Sequence, residues 1–167
     1  SDTGFPMIAT VPTGGIPGNK IWVKGPGALA GDYAPTTNTP TLGAGAAATI
    51  TAPVTVEGYT TTRGDGGRPT IVCSAASLEA LTVSGNFFIV KNLSLTVSGS
   101  AFRAIVVSGA YNQIINCVMA GVSPCRVTNG SNHFIGCEMK DGSSTNPGVI
   151  IVASGNNVFD KCSIHSN

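Results

Sequence analysis

Charge is scarce in this chain. Only 10% of its 167 residues are charged, and 9 Lys and Arg against 8 Asp and Glu leave a formal net charge of +1. A nucleic-acid groove needs clustered Lys and Arg, and no basic run occurs, so that partner is not expected. Aromatic residues make up 6%, with one tryptophan. No apolar run approaches the roughly 18 residues of a membrane span. No charged stretch followed by an apolar one opens the chain, so no signal peptide is expected at its start. The five cysteines, Cys73, Cys117, Cys125, Cys137 and Cys162, are odd in number and in no metal-type spacing. No metal and no cofactor are expected. Gly, Ser, Thr, Val and Ala abound instead. Small and β-branched residues at low charge suit stacked strands and argue against disorder.

Within residues 80–167 one pattern is written four times. Its anchors are Leu93, Cys117, Cys137 and Cys162, spaced 24, 20 and 25 residues apart. Twelve residues before each anchor stand Leu81, Ile105, Cys125 and Ile150, and three before it stand Val90, Ile114, Phe134 and Phe159. Two after it stand Leu95, Met119, Met139 and Ile164. The block from first apolar residue to last keeps its length, and all variation falls between blocks. Fixed strands joined by variable connections predict an all-β parallel solenoid, one coil per repeat. Cysteines replacing Leu and Ile in this pattern read as small buried hydrophobes, reduced in an inward stack.

Taken in order, residues 1–19 read as an irregular leader or cap. Lys20–Lys24 is the first strand, followed by a long Gly-, Pro-, Ala- and Thr-rich excursion over 25–47. Strands return at Ala48–Thr51 and Val54–Glu57. Gly58–Pro69 is a loop by composition, and Thr70–Cys73 is a short strand before the regular coils begin near residue 80. The residue before each anchor is Asn92, Asn116, Gly136 or Lys161. Asn and Gly tolerate a left-handed backbone, which predicts a tight corner there, with stacked asparagines able to bond along the solenoid. Five before the anchor come Phe88, Asn112, Asn132 and Asn157, a second partial polar ladder.

The blocks FFIVKNLSL, NQIINCVM, NHFIGCEM and NVFDKCSI resemble repeats of right-handed, single-stranded parallel β-helices of the pectate-lyase-like superfamily. The stretch IWVKGPGALAGDYAP, with APVTVEGYTTTRGDGGRPTI after it, is similar to the opening coils of β-helix proteins of bacteriophages and environmental bacteria. The resemblance covers residues 20–167 and implies coils of roughly 20–25 residues. Such proteins usually begin with a capping helix and run several coils further, so the chain reads as truncated at its C-terminus. The superfamily hosts lyases, hydrolases, tailspikes and structural fibres, so fold alone does not name an activity.

Enzymes of that superfamily gather carboxylates on one outer groove, whereas here no two acidic residues match in successive repeats. The densest charged group is Arg126, Glu138, Lys140 and Asp141, with Asp160 on the next coil; such a group is more often a solvated surface with loose ion pairs than a site. Arg63-Gly64-Asp65 matches an adhesion tripeptide, yet Gly-Asp-Gly-Gly is turn chemistry. His133 and His165 have no catalytic partner in the pattern. By alternation Val106, Ile115, Ile135 and Ile151 face outward, where a lone solenoid would meet water; an apolar outer wall predicts a neighbouring protomer or a loop folded over it.

These features, with the resemblance, imply a structural or receptor- and glycan-binding β-helix, such as a phage tail-spike, fibre or capsid-decoration component. It would be a homotrimer, or bound to other virion proteins, in a virion or extracellular setting. The alternatives are a fragment of a secreted polysaccharide lyase or hydrolase, and a bacterial surface adhesin.

Overall fold

The computed structural model describes residues 20–25, 41–43, 53–74, 77–98, 103–141, 150–152 and 155–166. Every regular element among them is a strand, and all strand pairs are parallel. Sheet A holds β2 (Thr41–Leu42), β5 (Leu81–Val83), β8 (Ile105–Val107), β11 (Cys125–Val127) and β14 (Ile150–Val152). Sheet B holds β1 (Lys20–Lys24), β3 (Val54–Tyr59), β6 (Phe88–Lys91), β9 (Gln113–Ile115), β12 (His133–Ile135) and β15 (Val158–Asp160). Sheet C holds β4 (Thr70–Cys73), β7 (Ser94–Val97), β10 (Val118–Gly121), β13 (Glu138–Asp141) and β16 (Ser163–Ser166). From β5 onward the chain visits A, B and C in turn, so each circuit is one coil of a parallel β-solenoid, roughly 24 residues per turn.

Each strand is short because each coil needs only one or two inward side chains per face. Leu81 lies in register with Ile105, then Cys125 and Ile150. Val90 pairs with Ile114, then Phe134 and Phe159, and Leu95 with Met119, Met139 and Ile164. The repeat written in the sequence is therefore the register of the fold. Inside, Phe134 and Phe159 stack with centroids 4.7 Å apart. All five cysteines are free thiols. Burial, joined by the neighbouring Cys137, pushes the Cys117 thiol up to about 12, and burial pushes Cys137 up to about 11. Such thiols stay protonated and behave as core hydrophobes.

Two corners make the coil possible. Between sheets B and C the chain turns on one left-handed residue: Asn92, Asn116, Gly136 and Lys161 have φ of 57°, 52°, 59° and 52°. The inward residue that follows continues the stack, with Leu93, Cys117 and Cys137 carbonyls accepting from Val118, Glu138 and Ser163 amides. Asn116 Nδ2 donates to Asn92 Oδ1 at 2.8 Å.

Between sheets A and B the corner is held by side-chain carbonyls. The Phe88 amide donates to Asn112 Oδ1 at 2.8 Å, the Asn112 amide to Asn132 Oδ1 at 2.9 Å, and the Asn132 amide to Asn157 Oδ1 at 3.0 Å. Asn132 Nδ2 also donates to the Gly109 and Asn129 carbonyls, each at 3.0 Å. Asn112 and Asn132 are buried, 0% and 1% exposed. A buried amide at a corner has no strand to pair with, and the ladder supplies the missing acceptor.

Register also extends upstream of residue 80. β1 pairs with β3 and β3 with β6, so the coils start earlier than the regular spacing suggests. Part of the expected 25–47 excursion is a strand, since β2 pairs with β5. β3 runs to Tyr59, so the loop starts later than composition indicates. Gly58 permits this: a Cβ there would collide with the Asn92 carbonyl of the next coil. The expected leader at 1–19 and strand at Ala48–Thr51 lie outside the described residues.

Asn132→Leu keeps the branched shape but strips the Asn112 amide and two carbonyls of partners. Each buried orphan costs about 1–3 kcal/mol, so this variant should melt far below Ser94→Val, which alters a half-buried outward position. Equal thermal shifts for the two would contradict a load on the ladder.

Candidate functional site

Sequence proximity does not survive the coil as spatial proximity. Arg126 stands on β11 in sheet A, Glu138, Lys140 and Asp141 on β13 in sheet C, and Asp160 on β15 in sheet B. The five charged candidates thus divide among three faces. Glu138 and Lys140 form an exposed ion pair at 3.3 Å, a contact worth little in water. The side chain of Asp141 is not among those described. Among the described residues no three His, Cys, Asp or Glu side chains gather as a metal site.

Two other described carboxylates are bound into the scaffold. Asp65 accepts from the Thr60, Thr61, Thr62 and Gly67 amides, at 2.7–3.2 Å, and from Thr60 Oγ1. It closes the loop between β3 and β4, whose Gly64 and Gly66 take the left-handed φ values of 88° and 74° that glycine accepts freely. The Thr61 and Gly67 amides hold its carboxyl well below the usual range. Within the Arg-Gly-Asp tripeptide, then, the aspartate is engaged by its own loop. Arg68 ties this loop to the solenoid by donating to Asn116 Oδ1.

Glu57 is 5% exposed although it sits on the outer row of sheet B. Burial pushes its carboxyl up, but Lys20 and Lys91, at 2.9 and 3.2 Å, outweigh that and leave it below its ordinary value. Lys20 also lies 4.6 Å from the Trp22 ring centroid, a cation–π contact. His165 lies beside a serine, its Nε2 2.8 Å from Ser163 Oγ. Both side chains are exposed, and among the described residues no carboxylate bonds to His165.

The apolar outward residues fall on two faces. Val106 and Ile151 belong to one row of sheet A, together with Thr82 and Arg126. Ile115 and Ile135 are in-register neighbours on sheet B, following Lys91 and preceding Asp160. Val106, Ile115 and Ile135 are half-buried, and the side chain of Ile151 is not among those described.

Periodicity marked the A–B corner by its ladder of Asn112, Asn132 and Asn157, but not the residues that precede it on the outside. Phe87 and Tyr111, the residues before Phe88 and Asn112, point outward with rings stacked 5.3 Å apart and only 7° from parallel. They are 42% and 58% exposed, and both hold a left-handed backbone, φ 62° and 59°. Aromatic residues adopt that conformation at a cost of about 1–2 kcal/mol. The only signal in the sequence was the doublet Phe87-Phe88, of which one member had to face outward.

No family model matches the chain, and neither a curated protein nor a solved structure matches it. What this geometry shows is a parallel β-solenoid.

The Asp65 loop gives a pH prediction. A folded-state value below the unfolded one of about 3.9 contributes stability at higher pH, which fades as the pH falls below about 4 towards the lower folded value. Asp65→Asn should therefore melt below the parent at about pH 7, and the gap should narrow steadily as the pH falls from about 4 to about 2.5. A gap of constant size between those pH values would contradict this role.

Proposed function

We propose that this chain is a structural, receptor-binding β-helix that works as a side-by-side assembly. The setting is a virion or cell exterior, as the resemblance to phage tail-spike, fibre and capsid-decoration proteins implies. The observation that carries the reading is the outward Ile115–Ile135 pair on sheet B. Cross-strand stacking buries part of each isoleucine, but an apolar row on a solenoid wall still gains by excluding water against a neighbour. Lys91, beside that row, shares Glu57 with Lys20, at 3.2 and 2.9 Å, so part of its charge is already offset when the face meets another copy. A homotrimer packed on this face, or contact with other virion proteins, fulfils the role, and a cell-surface glycan is the receptor that the resemblance implies. The carboxylates Glu57 and Asp65, consumed by lysines and by backbone amides, favour scaffold over acid–base chemistry.

Ile135→Lys places a charge in the centre of the row while leaving the inward stack untouched. Sedimentation at micromolar concentration should show the parent assembled and the variant as a folded monomer. A parent that sediments as a folded monomer, or a variant that stays assembled, would sink the assembly.

A further inference from the structure

The stacked pair at the A–B corner has a geometry that packing does not require. An outward position at a left-handed corner is served best by Gly, Asn or Asp, and the next coil carries Ser131 there, at φ 61°. Phe87 and Tyr111 hold the strained conformation and leave much of their rings in water, 42% and 58% exposed. One face of each ring meets the other at 5.3 Å. On the far side of Tyr111 the register brings only Ser131, one residue ahead of Asn132 as Tyr111 is of Asn112. Serine is too short to cover an aromatic face.

Hydrogen-bonding groups without partners stand beside this platform. Gln113, two residues after Tyr111 on the outer side of β9, is exposed and its side chain makes no hydrogen bond among the described residues. Its in-register neighbour is His133, whose Nε2 is shielded from solvent and also lacks a partner among the described residues. The rest of the corner is neutral: Asn86 and Asn129, both exposed, spend side-chain atoms on the Ala110 amide and the Ser108 carbonyl. No carboxylate, lysine or arginine lies at these corner positions.

From this geometry we infer that the A–B corner is a docking platform for the ring of an uncharged saccharide, held against the free face of Tyr111 with Phe87 backing it, and hydrogen-bonded by Gln113 and His133. A pyranose has one face of C–H groups and a rim of hydroxyls. The polarised C–H face suits the negative face of an aromatic ring, and the hydroxyls suit an amide and an imidazole, each able to donate and accept. An anionic sugar would find no cation, and a cationic peptide no carboxylate. The stacked arrangement fixes the rings in advance, so binding orders little. The assignment rests on reading the chain as a receptor-binding rod and names the site and ligand class for that reading.

The test uses the full chain and a panel of hexasaccharides: cellohexaose, maltohexaose and mannohexaose as neutral probes, and oligogalacturonate as the anionic one. Binding is followed by calorimetry and saturation-transfer NMR, products by reducing-end release, and assembly by sedimentation. Tyr111→Asn and Phe87→Asn remove the rings while supplying a residue that accepts the left-handed corner, so both variants should fold. At least one neutral probe should bind with a Kd near or below about 1 mM, saturation should reach its ring C–H protons, and either variant should weaken it by about tenfold or more. Binding of the parent left intact in both variants overturns the placement while leaving a receptor-binding rod standing. No binding by any neutral probe, or preference for the anionic one, overturns the ligand class. Release of reducing ends overturns the reading of the chain as a non-catalytic rod. Loss of assembly in Tyr111→Asn makes the pair a protein interface and overturns the platform.

Discussion

The structure depends on one hydrogen bond repeated along the solenoid: a corner amide donating to the side-chain carbonyl of an asparagine one coil further on. Strands in parallel sheets satisfy their own backbone groups, but a coil must leave one sheet and enter the next, and the amide at that point has no ladder partner. Asn112, Asn132 and Asn157 provide it at 2.8–3.0 Å. Side-chain carbonyls can follow the backbone at the coil repeat because asparagine is short enough to reach only the adjacent coil. The coil lengths of 24, 20 and 25 residues are possible because this contact fixes the corner whatever happens in the connection on the far side.

Most of the fold was legible because an inward position must be apolar on every coil. Leu81, Ile105, Cys125 and Ile150 could be aligned by residue type alone, and the sheets align them identically. Asn92 and Asn116 marked a left-handed corner because few other residues accept one. Upstream of residue 80 the connections are long and carry their own Gly, Pro and Thr, so spacing gave no register for β1, β2 or β3. A pairing such as Lys20 with Thr55 across sheet B is decided by tertiary packing of Ile21 and Val56.

Surface features were less legible for a geometric reason. A coil turns through three faces within some twenty residues, so Arg126 and Glu138, close in sequence, face different ways, whereas Phe87 and Tyr111, 24 positions apart, touch. Outward positions are not bound to be apolar or polar; alternation locates them along the strands, as for Ile115 and Ile135, but not at the corners. The aromatic pair became visible only when the corner conformation was known, because its exposure and its left-handed backbone are the anomaly. Glu57 was hidden likewise: only the register shows that one carboxylate faces two lysines on adjacent coils.

Native-state amide hydrogen exchange tests the corner ladder directly. The amides of Phe88, Asn112 and Asn132 donate to a side chain instead of to a strand. The account predicts that all three exchange as slowly as Ile114 and Phe134 at the centres of β9 and β12, opening only with the coils themselves. Exchange of these three amides at the rate of exposed loop amides such as Gly64 and Gly66 would contradict it.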